Sequence, residues 1–245
     1  TCGGHRWAGQ LVSVEMEQRK ERGDELRKLN SGIAGVIGKQ PVQRPEVHLL
    51  YDDMNDVDHA GDLLFRSISP TEASGIFVGF DTGLTAGAGF HTCGSFLPTM
   101  ERTNLDMTHP QIQIWNQELL AVAGAAARIC YDQAMSAVEC QLSTGDSDAD
   151  VTEQVASSWW SMRALRQLEQ RVSAGDEGDE AGTATSGFEA EEASARAIAT
   201  ELMSAHQFRP DGGPHAHAIS QCIGFAFWRF RPAGGIRVLT NKGIW

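Results

Sequence analysis

Two stretches of the chain repeat apolar residues every three or four positions, which is the spacing of one buried helix face. The first is residues 110–142 and carries this face: Ile112, Trp115, Leu119, Val122, Ala126, Ile129 and Ala137. Thr108 or His109 is placed to cap it, because Pro110 suits the first helical position. Small residues dominate positions 121–127 and predict that another helix crosses closely there. The second stretch begins with a capping box at Asp150 and Glu153 and predicts a helix to about Ser173.

The rest of the chain gives shorter signals. We expect a further helix over residues 189–206, which Pro210 bars from continuing. Charged side chains crowd residues 10–30 and predict a solvated helix, which could alternatively dock on a neighbouring subunit. We expect strands or tightly packed segments at 32–38, 46–51 and 76–80, a short helix beginning near Ser69, and a loop at 83–94.

The C-terminal residues change character and predict a β-hairpin. Residues 222–231 are bulky and aromatic, as strands are. A turn at 232–235 then leads to a second strand at 236–240. The fold class is therefore expected to be α+β, mainly helical, with a small mixed or antiparallel sheet that includes this C-terminal hairpin.

One segment predicts the organisation of the chain into parts. Residues 174–187 are only Gly, Ala, Ser, Thr, Asp and Glu, which is typical of a flexible linker. We expect a helical or mixed body over 1–173, an acidic loop or linker over 174–188, and a helix plus C-terminal hairpin over 189–245 that packs on the body. The chain shows no internal repeat.

Charge is distributed unevenly along the 245 residues, whose formal net charge is −12. Residues 51–206 hold twenty-five acidic and seven basic residues, a net charge of −18, whereas residues 207–245 carry a net charge of +4. An acidic body repels phosphate, so nucleic acid is an unexpected partner except through the C-terminal segment.

Composition also narrows the compartment. No apolar run approaches the roughly 20 residues that span a bilayer, and the first residues lack the pattern of a signal peptide. The five cysteines are scattered without a C-x-x-C pair, which favours a reducing compartment. We expect a protein of the cytoplasm or of a virion, not inserted in a membrane.

Two candidates for catalysis stand out. Residues 76–83, Ile-Phe-Val-Gly-Phe-Asp-Thr-Gly, resemble the active-site loop of aspartic proteases, and the resemblance implies that Asp81 activates water with a partner carboxylate. A second such loop is missing, so that activity would need a dimer. The structural alternative is a strand that ends in a tight turn, where Asp81 accepts backbone N–H bonds. Thr1 is the other candidate, as an N-terminal nucleophile whose own amine acts as base.

Metal ligands occur only in pairs. His215 and His217 flank Ala216, and two further pairs are Cys2 with His5 and His91 with Cys93. Zinc prefers three or four ligands on a recognisable frame, and no standard spacing links these pairs. We therefore expect no metal and no cofactor. His215 and His217 are the residues that a metal site would use.

The C-terminal segment carries the candidate contact residues, which are Trp228, Arg229, Phe230, Arg231, Arg237 and Trp245. Trp, Phe and Arg are enriched at subunit contacts. With no assembled catalytic motif, the sequence favours a non-enzymatic assembly subunit, such as a virion shell or decoration protein, that binds copies of itself or other shell proteins. The alternatives are a hydrolase built on Asp81 or Thr1, and a module that binds RNA or an acidic partner through the C-terminal segment.

Overall fold

A computed structural model describes residues 9–16, 23–52, 74–144, 187–209, 213–231, 235–240 and 243–244. Within these residues the chain forms four helices, a five-stranded mixed sheet and a separate two-stranded sheet. The α+β class expected from the sequence is confirmed.

The elements follow one another with these bounds. The first half holds β1 (Gly9–Glu15), α1 (Gly23–Ile37), β2 (Glu46–Asp52), β3 (Gly75–Phe77), β4 (Asp81–Thr85) and β5 (His91–Gly94). The second half holds α2 (Pro110–Thr144), α3 (Gly187–Ala205), α4 (Pro214–Arg229), β6 (Leu239–Thr240) and β7 (Gly243–Ile244).

The main sheet has the strand order β1-β2-β5-β3-β4. Among these described strands, β3 and β5 run parallel and the other neighbours are antiparallel. Successive side chains of a strand point to opposite faces, so one face of β2 presents Val47, Leu49 and Tyr51, all fully buried. Ile76 and Leu84 continue this inner face, against which the helices pack.

The long helix α2 is the centre of the molecule. It packs against α3, α4 and β2, and its predicted bounds are confirmed, because the helix runs from Pro110 to Thr144. His109 accepts the first helical hydrogen bond from the N–H of Gln113 at 2.8 Å. The Asp106 carboxylate accepts the N–H groups of Thr108 and His109, which would otherwise lack a partner at a helix start. These hydrogen bonds hold the pKa of Asp106 below its usual value, although burial opposes them.

A close helix crossing confirms the expectation drawn from the small residues of α2. A Cβ atom on Gly124 would fall deep inside van der Waals contact with the backbone carbonyl of Ile223 in α4. The absence of a side chain at Gly124 therefore lets α2 and α4 approach at this point.

The prediction of a helix over residues 10–30 is wrong for its first part and holds for residues 23–30, which belong to α1. Residues 9–15 form β1, and α1 begins only at Gly23. Val12 and Val14 pack against the core while Leu11, Ser13 and Glu15 are exposed, which is the period-two pattern of a strand. The charges that follow obscured this pattern. In the segment 32–38, expected to be a strand or packing segment, residues 32–37 are the last part of α1 and Gly38 follows the helix.

The prediction of a strand over residues 222–231 is also wrong, because this segment is the C-terminal part of α4. Ala216, Ile219, Ile223 and Phe227 are buried at helical spacing. That buried face outweighs the strand preference of aromatic residues, which depends on context. A C-terminal hairpin does exist, but it consists of β6 and β7 in a sheet of their own.

The shorter predictions had mixed outcomes. The strand at 46–51 and the helix at 189–206 are confirmed as β2 and α3. The strand at 76–80 is displaced and shorter, since β3 ends at Phe77, and residues 78–80 turn the chain into β4. The region 83–94, expected to be a loop, contributes to β4 and all of β5, because backbone pairing rather than side-chain pattern makes these short strands.

Several predictions fall outside the described residues. These are the helix beginning near Ser69, the helix over 150–173 and all but the last two residues of the linker over 174–188, so the division into body, linker and C-terminal part stays a prediction. Residues 187 and 188 of that expected linker belong to α3. Among the helices that the structure describes, none is long and apolar enough to cross a bilayer.

Candidate functional site

The C-terminal end of α4 presents a group of large apolar side chains to solvent. Phe225 is 64% exposed, Trp228 is 54% exposed and Phe230, just after the helix, is 38% exposed. Exposed Arg229 lies with its guanidinium carbon 5.4 Å from the centre of the Phe225 ring. We call Phe225, Trp228, Arg229 and Phe230 the α4 aromatic face.

The α4 aromatic face is anchored in the core. Phe227 is buried between the exposed residues, and its ring meets that of Trp228 edge-on, with ring centres 5.2 Å apart. Trp228 and Phe225 are three residues apart, and Arg229 is four residues from Phe225, so helical geometry places the three on one side of α4. The arrangement can form cation–π and stacking contacts with a partner.

A buried arginine of α2 holds the backbone at both ends of the segment that carries Trp228. Arg128 is 1% exposed and pairs with Asp132 at 2.8 Å. Its guanidinium also donates to the carbonyl oxygens of Phe227, at 3.4 Å, and Gly235, at 3.1 Å. The planar guanidinium thus joins α2 to Phe227, just before Trp228, and to Gly235.

The residues after α4 are bound to α2 by two further contacts. The Tyr131 hydroxyl donates to the carbonyl oxygen of Arg237 at 2.5 Å, and the Arg237 guanidinium donates to the Glu139 carboxylate at 3.0 Å. Burial, together with the nearby Asp132 carboxylate, raises the pKa of Tyr131 to about 12, so its hydroxyl stays protonated and able to donate. Arg237, predicted as a contact residue, therefore lies against α2.

A histidine sits in the aromatic core beneath this region. His206 is 2% exposed, and its ring stacks on Phe227 at a centre-to-centre distance of 5.3 Å. Its Nδ1–H donates to the carbonyl oxygen of Leu202 at 2.8 Å, and Nε2 faces the Tyr51 hydroxyl at 3.4 Å. Burial lowers the pKa of His206 to about 4, because a charged imidazolium would lose its hydration there.

Asp81, the protease candidate, begins β4 and is exposed. Its Oδ1 accepts the backbone N–H of Gly83 at 2.9 Å, which is the hydrogen bond of the turn considered as the structural alternative. The neighbouring Thr82 hydroxyl is buried and donates to the carbonyl oxygen of Ile76 at 2.6 Å. None of the hydrogen bonds within the described residues joins Asp81 to a second carboxylate.

The remaining candidates are dispersed. His215 and His217 are exposed near the start of α4, and the His217 ring bonds to the Gln221 side chain at 2.8 Å. In the described part of the chain, no three His, Cys, Asp or Glu side chains are grouped so as to hold a metal ion. Arg231 is exposed beyond α4, whereas Thr1 and Trp245 lie outside the described residues.

Sequence reasoning missed Arg128 and His206. Arg128 lies on a buried face of α2, and His206 directly follows the end of α3. A lone polar residue at either place gives no local signal of its partner. Their partners are far along the chain: Gly235 for Arg128 and Tyr51 for His206.

Residues 27–173, more than half of the chain, match the model of a family described as protein of unknown function (DUF3684). The chain belongs to this family. The match to DUF3684 covers most of α1, the strands β2–β5 and all of α2, and it ends before α3 and α4. No curated protein and no solved structure matches the chain.

Proposed function

We propose that the protein is an assembly subunit, and that it binds other copies of itself through the α4 aromatic face. The observation that carries this proposal is the exposure of Phe225 and Trp228 on one side of α4 beside Arg229, with exposed Phe230 directly after the helix. Large apolar side chains scattered singly over a surface need no explanation, but a group of them rimmed by charge is typical of a contact surface.

The charge distribution supports a second copy as the partner. The C-terminal block from residue 207 onward carries +4, and residues 51–206 carry −18. The C-terminal block of one copy and the acidic block of another carry charges of opposite sign, so a contact between them is electrostatically complementary. Such a contact joins two different surfaces, so it can continue from copy to copy or close into a ring.

The buried contacts beneath the α4 aromatic face support it further. Arg128 holds the carbonyl oxygens of Phe227 and Gly235, and Tyr131 holds that of Arg237. A surface whose backbone is already held in place loses less conformational entropy on binding than a loop that must first become ordered. The finer form of the proposal is that the assembly is the shell or decoration of a virion.

Light scattering on a sizing column, with negative-stain images of the same peak, tests the proposal directly. We expect the wild type to form an assembly larger than a dimer, and Trp228→Ala to weaken each contact about 30-fold, as loss of a central aromatic does. Met100→Ala is the matched control, because Met100 is 96% exposed and lies elsewhere. A wild type that stays monomeric or dimeric contradicts the proposal, as does an assembly unchanged by Trp228→Ala.

A second candidate function rests on the Arg229–Phe225 pair. A guanidinium over an aromatic ring, beside exposed Trp228, is also a platform on which single-stranded RNA can stack. Titration with labelled single-stranded RNA at increasing salt separates the two functions. RNA binding is favoured if RNA affinity falls steeply with salt and if Trp228→Ala abolishes that binding without changing the particle mass.

A further inference from the structure

The first strand of the main sheet lies at its edge. β1 pairs with β2 over its whole length, from Gly9 opposite Asp52 to Glu15 opposite Glu46. In the part of the chain that the structure describes, no strand pairs with the other side of β1. This seven-residue strand carries neither proline nor lysine, two residues that often block edge-to-edge pairing in natural sheets.

The hydrogen-bond register shows which backbone groups face outward. Met16 donates its N–H to the carbonyl oxygen of Pro45 at 2.9 Å, so position 16 bonds toward β2. Antiparallel ladders alternate, and therefore the odd positions of β1, including Leu11 and Ser13, direct their N–H and C=O away from β2. The ladder between β2 and β5 supports this assignment. Ser95 donates its N–H to the carbonyl oxygen of Glu46, so the even positions of β2 bond to β5 and its odd positions bond to the even positions of β1.

The side chains of the edge suit a neutral partner strand. Residues 9–14 carry no charge, and Leu11 is 64% exposed on the outer face of the sheet. The Ser13 side chain already has a partner within the same sheet, because its hydroxyl lies 2.9 Å from Nδ1 of His48 on β2. Glu15, at the end of the strand, pairs with Arg44 at 3.3 Å.

We propose that β1 pairs edge to edge with β1 of a second copy, antiparallel and centred on Leu11. This pairing places Leu11 opposite Leu11 and Ser13 opposite Gly9, so all outward N–H and C=O groups of residues 9–13 find partners. The two Glu15 carboxylates lie at opposite ends of the ladder, whereas a parallel pairing in register would set them side by side. An identical neutral strand therefore fits this edge without desolvating any charge.

This contact is separate from the α4 aromatic face and extends what the molecule can build. A two-fold contact uses the same surface on both copies and closes after one partner. A two-fold contact at β1, combined with a second contact at α4, links pairs into a larger assembly. The β1 pairing stands whether or not the α4 face binds another copy.

Two substitutions at Ser13 test the backbone pairing. Ser13→Pro removes an N–H that points outward and leaves the bonds to β2 intact, a position that proline tolerates in edge strands. Ser13→Ala is the matched control, because it removes the bond to His48 but keeps the N–H. The measurement is the molar mass of the full chain by sedimentation equilibrium over a range of concentrations, in a Trp228→Ala background that weakens the α4 contact.

We expect a dimer for the Trp228→Ala background and for Ser13→Ala. Ser13→Pro removes two hydrogen bonds per dimer and should raise the dimer dissociation constant about tenfold or more. Leu11→Lys, which sets two cations opposite each other, should give a monomer, while Val36→Lys on α1, 47% exposed in the native chain, should not.

The outcomes separate this proposal from the one on α4. A monomeric Trp228→Ala background, or a dimer that survives both Ser13→Pro and Leu11→Lys, overturns the β1 pairing. An unchanged wild-type particle after Trp228→Ala overturns the α4 contact instead. A folded state of Ser13→Pro, checked by its circular dichroism, ensures that a lost dimer reports on the edge and not on the sheet.

Discussion

The buried imidazole of His206 makes the free energy of unfolding depend on pH in a calculable way. The pKa of His206 is about 4 in the folded protein and has its ordinary value of 6.5 when the chain is unfolded. Between these two values the unfolded chain binds more protons than the folded one, so stability increases with pH. The stability from this group is complete above about pH 6.5 and is lost as pH falls toward about 4.

The size of the effect follows from the same two values. A difference of one pKa unit corresponds to about 1.4 kcal/mol, so protonation of His206 removes about 3 kcal/mol in total. About 2 kcal/mol of this is lost between pH 7 and about pH 5. His91, whose pKa burial also lowers, contributes in the same direction.

Urea unfolding of the wild type and of His206→Phe, each at pH 7 and at about pH 5, isolates the contribution of His206 to the pH dependence of stability. Phe keeps an aromatic ring among Tyr51, Phe90 and Phe227 but cannot bind a proton. The variant retains His91 and all surface carboxylates. The difference between the two proteins in the unfolding free energy lost between the two pH values therefore belongs to His206. If both proteins lose the same free energy between the two pH values, the reasoning about the buried imidazole is refuted.

Two further substitutions test the packing around α2 by thermal or urea unfolding. Gly124→Ala forces a Cβ into a backbone carbonyl of α4 and should destabilise the protein by about 1–3 kcal/mol, whereas Gly35→Ala, in open space on α1, should be neutral or stabilising. Arg128→Met leaves the Asp132 carboxylate without its cation and should cost about 3–5 kcal/mol, in contrast to less than about 1 kcal/mol for exposed Arg27→Met. An equal loss of unfolding free energy for Gly124→Ala and Gly35→Ala would contradict the close approach of α2 and α4. An equal loss for Arg128→Met and Arg27→Met would contradict the stabilising role of the buried Arg128 contacts.

The elements that could be predicted are those whose pattern is long and local. α2 shows its apolar repeat over more than thirty residues, and Pro110 marks its start, so its bounds follow from the sequence. β2 and α3 follow for the same reason. β3, β4 and β5 are only three to five residues long, and their existence depends on partners elsewhere in the chain.

Composition identified the candidate contact residues, but it did not predict the secondary structure that carries them. Trp228, Arg229 and Phe230 stand out in the sequence as an aromatic and basic cluster. The assumed hairpin would have alternated them between two faces, whereas α4 places Trp228 and Arg229 on one side with Phe225. Phe225 was missed as a contact residue because it is exposed only in a helix of this orientation.

The sequence by itself determined the α+β class, the long central helix, the close crossing at its small residues and the uneven charge. Each of these depends on neighbours within a few turns or on a simple sum of charges. Only the tertiary structure decided that residues 214–229 are helical, that Arg128 and His206 are buried, and that β1 ends the sheet. These features depend on contacts between residues about 35 to more than 150 positions apart, and local propensity yields to such contacts when burial favours another conformation.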